Sequence, residues 1–315
     1  MTEPQIPSAN SRPPIFIAGP TAVGKSEIAL RLAEQLGGEI ISVDSMQVYR
    51  GLEIGTAKPS PADRARVPHH LIDICDLTEA FDAAQFIRLA QKAVAEIQSR
   101  GRVPVFCGGT GLYFKAFLSG LGEAPSANPE LRAELEQIPF DKLLGELRER
   151  DLEAYDKIDK QNPRRVIRAV EVLRLTGKKF SEQLAEWKQE ARSQEPGGSF
   201  FCLNRQPADL HARINARVDE MFRRGLVEET RELLRSGLEQ NQTAMQAIGY
   251  RQMVEHLRGE RSLAETIVQV KIRTRQFAKR QLTWFRRQLA PEWMELKPDE
   301  LVEDVVRKIR ESAIQ

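Results

Sequence analysis

The run Gly19-Pro20-Thr21-Ala22-Val23-Gly24-Lys25-Ser26 fits G-x-x-x-x-G-K-[ST]. It constrains the fold because such a loop works only between a strand and a helix. Ile15 to Ala18, just before it, is a short apolar run suited to a buried parallel strand. Ile28, Ala29, Leu32 and Leu36, just after it, recur at helical spacing. A strand feeding a glycine turn that opens a helix aims several backbone N–H groups at one point, with the positive end of the helix dipole behind them. Gly19 and Gly24 permit backbone angles and a close approach that a side chain would obstruct. Lys25 supplies a mobile charge for a terminal phosphate, and the Ser26 hydroxyl suits a magnesium ion. The motif predicts a di- or triphosphate site of the kind ATP-binding proteins carry. A surface glycine turn is the alternative, and the flanking strand and helix oppose it.

The rest of the first 120 residues alternates in the same way. Glu39 to Val43 reads as a second strand and Val103 to Cys107 as a third, with a helical pattern between them over Ala83 to Arg100. That is a doubly wound α/β core, a parallel sheet flanked by helices like that of the P-loop NTPases. From Asn128 to about Glu190 the texture becomes charged, Leu-rich and helical, interrupted at Asn162-Pro163 and Gly177. The economical reading of 315 residues is a core of 14–121 and 199–315 carrying an all-helical insert at 122–198. Residues 1–13 read as a flexible lead-in. Ser199 to Leu203 resembles a strand re-entering the core. Pro207 to Gly237 is amphipathic and helical, and Leu263 to Arg287 reads as another long helix.

Composition excludes little. Hydrophobic content of 41% and charge of 29% describe an ordinary soluble chain, and no apolar run approaches a membrane span or a signal core. Cys75, Cys107 and Cys202 are far apart without metal spacing, so free thiols in a reducing cytoplasm are expected. The net charge of +2 hides a local bias: Lys271 to Arg287 holds seven basic residues and no acidic one. Arg273, Arg280 and Arg287 recur every seven residues, as do Val270, Phe277 and Trp284, giving a basic stripe beside an apolar one. His69 and His70, adjacent and without a partner motif, suit turn capping and hydrogen bonding better than metal ligation.

Active sites in doubly wound sheets lie beyond the carboxyl ends of the strands, so the phosphate loop, Asp44 and Thr110 are expected to share one crevice. A P-loop kinase or ATPase usually carries an acid at a strand end to organise magnesium. Here the third strand runs into Gly108-Gly109-Thr110 instead. Asp44 lies where a small-molecule kinase would hold its acceptor, which suits a general base; a cap for the following turn is the other reading.

The segments GPTAVGKS, DSMQVYRGLEIGTAKP, PHHLID, GGTGLY, NPRRVIRAVEV, AIGYRQ and KRQLTWFR occur in that order. Over about Pro14 to Arg287 the chain resembles the tRNA dimethylallyltransferases, also called tRNA isopentenyltransferases, in their compact bacterial form. The resemblance implies transfer of a dimethylallyl group from dimethylallyl diphosphate to the exocyclic amine of the adenosine 3′ of the anticodon. Diphosphate would then be the leaving group, which accounts for the missing hydrolysis machinery. It implies a cytoplasmic monomer using Mg2+ held at Ser26. Asp44 matches the family's base, Thr110 lies where amine and diphosphate meet, and Arg213 matches an arginine that reaches the diphosphate. Gly19, Thr21, Ala22, Val23, Gly24, Lys25 and Ser26 would bind that diphosphate.

For the tRNA anticodon arm the resemblance points to Asp44, Ser45, Met46 and Gln47 beside the acceptor. In the insert it points to Arg132, Arg164, Arg165 and Arg168. Further along it points to Gly249, Tyr250 and Arg251, and to Lys279, Arg280, Gln281, Trp284 and Arg286. A target base must leave the anticodon stack to reach a buried carboxylate. The main alternative is an adenylate isopentenyltransferase, which prenylates a free nucleotide and needs no RNA-binding insert. A P-loop kinase and a non-catalytic RNA-binding protein are more distant alternatives.

Overall fold

The computed structural model describes residues 12–121, 125, 127–183 and 197–314. Most of the expected lead-in therefore lies outside the described residues. Two compact units divide the chain, one of residues 1–114 and 196–315 and one of 115–195.

The larger unit is built on a six-stranded sheet. Its strands are β1 (Ile15–Ala18), β2 (Glu39–Val43), β3 (His69–His70), β4 (Pro104–Gly108), β5 (Ser199–Arg205) and β6 (Glu292–Leu296). Their order is β3-β2-β4-β1-β5-β6, and every pairing is parallel. β1 and β2 read as continuous apolar runs because both faces are covered, and all their residues are buried. The exception is Glu39, buried at the start of β2. Burial pushes its carboxyl up, but hydrogen bonds from Arg100 and His70 outweigh that and hold it below the usual value. So His70 ties the sheet edge to Glu39 and His69 bonds the Val67 carbonyl. Both make hydrogen bonds as expected, but from a short edge strand and not from a turn. That extra strand makes the strand at 104–108 the fourth in chain order.

α1 (Lys25–Leu36) leaves the glycine loop, and α3 (Ala83–Ser99) begins at Asp82, whose side chain accepts from the Gln85 N–H. The short α2 (Pro61–Arg66) precedes β3, and α4 (Gly111–Ser119) follows β4. After β5 the expected single helical region at 207–237 is two helices, α9 (Pro207–Arg223) and α10 (Leu226–Arg235). Gly225 breaks it with φ 98°, a left-handed angle that side chains resist. Then come α11 (Tyr250–Leu257) and the 26-residue α12 (Leu263–Gln288), opened by a reciprocal Ser262–Glu265 capping box. β6 and α13 (Val302–Ile314) complete the unit. β6 carries no legible strand signal, because an edge strand with exposed Glu292, Trp293 and Glu295 lacks the apolar run of its neighbours.

The smaller unit holds α5 (Pro129–Gln137), α6 (Phe140–Arg150), α7 (Leu152–Lys157) and α8 (Pro163–Thr176). Asn162 caps α8 through the Arg165 N–H, and Gly177 ends it in a left-handed conformation, so both sequence breaks fall at helix ends. Leu135, Leu143, Leu147, Val166, Val170 and Leu173 form its core. Glu171 is fully buried there and accepts from Arg132 Nε and Nη2 at 2.9 and 3.0 Å, Arg168 Nη1 at 2.6 Å and the Asn128 N–H at 2.8 Å.

Arg132 and Arg168, expected to bind RNA, both pair with this internal acid while staying partly exposed. The Arg168 pair is local, three residues apart on one helix, whereas the Arg132 pair spans 39 residues and carried no local signal. Burial pushes the Glu171 carboxyl up, but the guanidinium and backbone hydrogen bonds together hold it below its ordinary value. A lowered folded value means that this stabilisation is complete above the unfolded glutamate value and lost as pH falls through the folded one. Glu171→Ala should cost about 1–3 kcal/mol, since both arginines can turn toward water, and the urea midpoint measures it. An unchanged midpoint would contradict the buried acid's role.

Candidate active site

The carboxyl ends of β1, β2 and β4 open on one cleft of about 450 Å³. Its walls come from the phosphate loop, the segment after β2, the β4–α4 turn, α9 and α12. They include Lys25, Ser26, Asp44, Thr110, Arg217 and Gln281. β2 and β4 can converge here because Gly108 has no side chain: a Cβ would stand 2.0 Å from the Val43 carbonyl oxygen.

The phosphate loop is sharply bent. Ala22 sits at φ 65° and Gly24 at φ 111°, so a non-glycine residue holds a left-handed angle within the turn. Lys25 Nζ donates to the Pro20 carbonyl at 2.7 Å. Burial lowers the Lys25 ammonium to about 8, Arg217 adds to the fall, and Cys107 and Asp44 work against it. The Thr21 N–H is already taken by Gln281 Oε1 at 2.9 Å, and the residue lines the cleft. Ser26 is exposed at the start of α1 and opens on the cleft.

Asp44 caps the following turn, the second of the two roles weighed in sequence, and its place in the cleft leaves the first open. Its Oδ1 accepts from the Met46 and Gln47 N–H groups at 2.8 and 3.3 Å, capping the turn, while the residue lines the cleft. Thr110 Oγ1 accepts from the Ser45 N–H at 3.1 Å, and the Thr110 N–H donates to the Val43 carbonyl. The segment after β2 and the β4–α4 turn are therefore pinned together. The Gln47 amide is used internally, donating to the Thr56 and Ala57 carbonyls and accepting from the Ser42 hydroxyl at 2.9 Å. Cys107 lines the cleft as a free thiol, pushed up to about 11 by burial.

Two residues expected to touch RNA turn inward. Gln281 is 8% exposed. Its Nε2 donates to the Gly109 carbonyl at 2.9 Å while its Oε1 holds Thr21, so its amide bridges the phosphate loop and the β4–α4 turn. Tyr250 is fully buried, its hydroxyl donating to Glu229 at 2.5 Å. Glu229 also accepts from the Ile54 and Gly55 N–H groups, which fixes the turn that Gln47 leans on. Gly249 is buried, with its N–H on Gln252 Oε1, and Trp284 packs against Gly111. Sequence alone could not orient these side chains because their partners come from distant segments.

The exposed basic groups behave otherwise. Arg280 lies over the Phe277 ring at 5.9 Å and lines the cleft, and Arg286 lies over Trp293 at 5.3 Å. Arg251 pairs with Glu255, and Lys271 pairs with Asp219 on α9, so the basic run on α12 is compensated at one end. Among the described residues Arg165, Arg273, Lys279 and Arg280 are exposed without an ion pair. Arg164 is exposed as well.

Arg213 Nε donates to the Ala22 carbonyl at 2.9 Å, bracing the loop from outside. Burial lowers its guanidinium from the ordinary value, and the nearby Arg205 adds to this. Arg217, one helical turn on, was missed in sequence, although an arginine at i+4 shares the face of Arg213. It lines the cleft itself, and burial lowers it while the Asp44 carboxylate pulls the other way. A cleft with a carboxylate, a guanidinium, an ammonium and a helix N-terminus can hold a diphosphate and take a proton from a bound nucleophile.

Residues 47–288 match the IPP transferase family. The chain is 48% identical over 281 residues to the tRNA dimethylallyltransferase of Halorhodospira halophila, covering 88% of this chain and 90% of that protein. It is similar to the crystal structure of the full-length tRNA isopentenylpyrophosphate transferase from Bacillus halodurans. That match has a TM-score of 0.69 and 38% identity, covering 95% of this chain and 96% of that one. A eukaryotic dimethylallyltransferase acting on tRNA matches at a TM-score of 0.74 and 29% identity, covering 90% of this chain and 74% of that one.

Proposed function

The chain belongs to the IPP transferase family, and on that premise we propose that it transfers a dimethylallyl group from dimethylallyl diphosphate to the exocyclic amine of the adenosine 3′ of a tRNA anticodon. The observation that carries this reading is the single cleft in which Asp44 and Thr110 face the phosphate loop, at the end of a β4 that offers no acid. The named relatives act on tRNA, which favours it over free adenylate as the acceptor. Among the described residues no helix is long and apolar enough to cross a membrane.

In this reading the backbone N–H groups of Ala22 and Gly24, with Lys25 and Arg217, hold the diphosphate and stabilise the charge that grows as it leaves. The bond from the prenyl C1 to the diphosphate oxygen breaks, and a bond from the adenine nitrogen to C1 forms. The amine proton, acidic once that bond begins to form, passes to Asp44. Thr110, fixed by Ser45 and Val43, orients the amine beside it. Among the described residues no cluster of three acidic, histidine or cysteine side chains could cage a metal. The exposed Ser26 hydroxyl does suit a hydrated magnesium ion carried on the diphosphate. Magnesium, when bound, would offset part of the leaving group's charge.

Incubation with dimethylallyl diphosphate and unmodified tRNA, followed by mass analysis of the nucleosides, tests the function. Dimethylallyladenosine formed only in the presence of both substrates is expected, and ATP-dependent phosphorylation instead would overturn it. The exposed Arg165 and Arg280 are assigned to tRNA phosphates. Alanine at either should weaken binding of an anticodon stem-loop and shrink the slope of log affinity against log salt by about 0.7–0.9. Unchanged slopes in both variants would place the RNA path elsewhere.

A further inference from the structure

In each trans peptide of the phosphate loop the N–H points opposite to the carbonyl, so holding a carbonyl fixes the direction of an N–H. Two of these carbonyls meet arginines. Arg213 donates to the Ala22 carbonyl, and Arg205 Nε donates to the Val23 carbonyl at 2.8 Å. Arg205 is only 8% exposed, and it is fixed on its far side as well. Its Nη1 donates to Asp209 at 2.8 Å and to the Lys297 carbonyl at 3.1 Å. One guanidinium thus joins the end of β5, the first turn of α9, the residue after β6 and the loop. Its Nη2 faces Gly24: a Cβ built there would stand 3.9 Å from Arg205 Nη2 and from Arg213 Nη2.

The loop needs such bracing. Ala22 holds φ 65°, an angle an alanine leaves unless its surroundings fix it, and Gly24 follows at φ 111°. If the Val23 carbonyl rotated inward, it would turn an acceptor toward the diphosphate and move a donor away. A buried, charge-assisted hydrogen bond prevents that rotation more firmly than water could.

We infer that Arg205 is a positioning residue for the phosphate loop: by holding the Val23 carbonyl outward it keeps the Gly24 N–H of the same peptide aimed at the diphosphate. The inference rests on the diphosphate reading of the cleft. Asp209 and the Lys297 carbonyl orient Arg205, so the C-terminal strand contributes to a site it never reaches.

The test uses the full chain and inorganic pyrophosphate as the probe, measured by calorimetry. Arg205→Met keeps the length and removes every donor, and it should weaken pyrophosphate binding by about tenfold or more, the value of one hydrogen bond to a charged group. Anticodon stem-loop affinity should be unchanged. Amide exchange in a peptide covering residues 19–28 should quicken, while that of residues 39–44 should not. Arg205→Lys, which keeps a cation able to reach Val23, should recover most of the affinity.

Pyrophosphate affinity equal to that of the unaltered chain in Arg205→Met would overturn the inference. So would a parallel loss of stem-loop affinity and melting temperature that lysine does not rescue, since that marks a purely structural residue. If Arg205→Met does not fold, Arg205→Lys alone decides: it should bind pyrophosphate close to normally with a protected loop, and rapid loop exchange with normal binding would refute the inference. Failure of the unaltered chain to bind pyrophosphate would instead sink the diphosphate reading.

Discussion

Asp44→Asn should lower the single-turnover rate by about 10²–10⁴-fold with saturating tRNA and dimethylallyl diphosphate, the usual contribution of a positioned base. Asparagine is the informative substitution because Asp44 does two jobs. Its Oδ1 caps the Met46 and Gln47 N–H groups, and an amide oxygen can still accept both. What asparagine cannot do is take a proton. Stem-loop affinity and melting temperature should therefore stay near those of the unaltered chain while the chemical step fails. Asp44→Ala, which also uncaps the turn, should add a loss of stability of about 0.5–2 kcal/mol, the typical value of a lost side-chain cap. A normal single-turnover rate in Asp44→Asn would remove Asp44 from the chemistry and leave it as a turn cap.

Lys25→Met should reduce kcat/KM for dimethylallyl diphosphate by about 10²–10³-fold, on the scale of losing one preorganised donor to a developing anion. The ammonium rests on the Pro20 carbonyl without ligand and can swing from it to a phosphate oxygen. The same group sets a pH dependence. Burial, with Arg217 beside it, lowers Lys25 to about 8, so the free protein loses this positive charge as pH rises through that value. Pyrophosphate affinity should accordingly be full below pH 8 and fall above it, and Lys25→Met should flatten that limb. A bound diphosphate favours the charged form, so the limb should move to higher pH at saturating donor. An unchanged limb in Lys25→Met would assign it to another group.

The parts legible in sequence are those whose physics is local. The phosphate loop is read from glycines, a lysine and a hydroxyl within eight residues, and strand β1 and helix α1 on either side follow from apolar periodicity. The turn after Asp44 is equally local, since its cap reaches only two and three residues on. Charged, strand-free texture marked out the helical insert, and Asn162 and Gly177 marked the ends of its last described long helix. An exposed edge strand such as β6 left no trace, because it lacks the buried apolar run by which strands are recognised.

What the sequence by itself determined is a phosphate-loop motif on a parallel α/β sheet, a carboxylate at a neighbouring strand end and the family to which these belong. The tertiary structure decided which way the motif side chains point. Arg132 faces a buried Glu171 39 residues on, Tyr250 faces Glu229, and Gln281 spans Thr21 and Gly109. Arg205 and Arg213 hold the back of a loop lying more than 180 residues before them. A motif records which residue is present. Its hydrogen-bond partner depends on which distant segment the sheet order brings alongside, because a buried polar group must bond to whatever acceptor or donor is there.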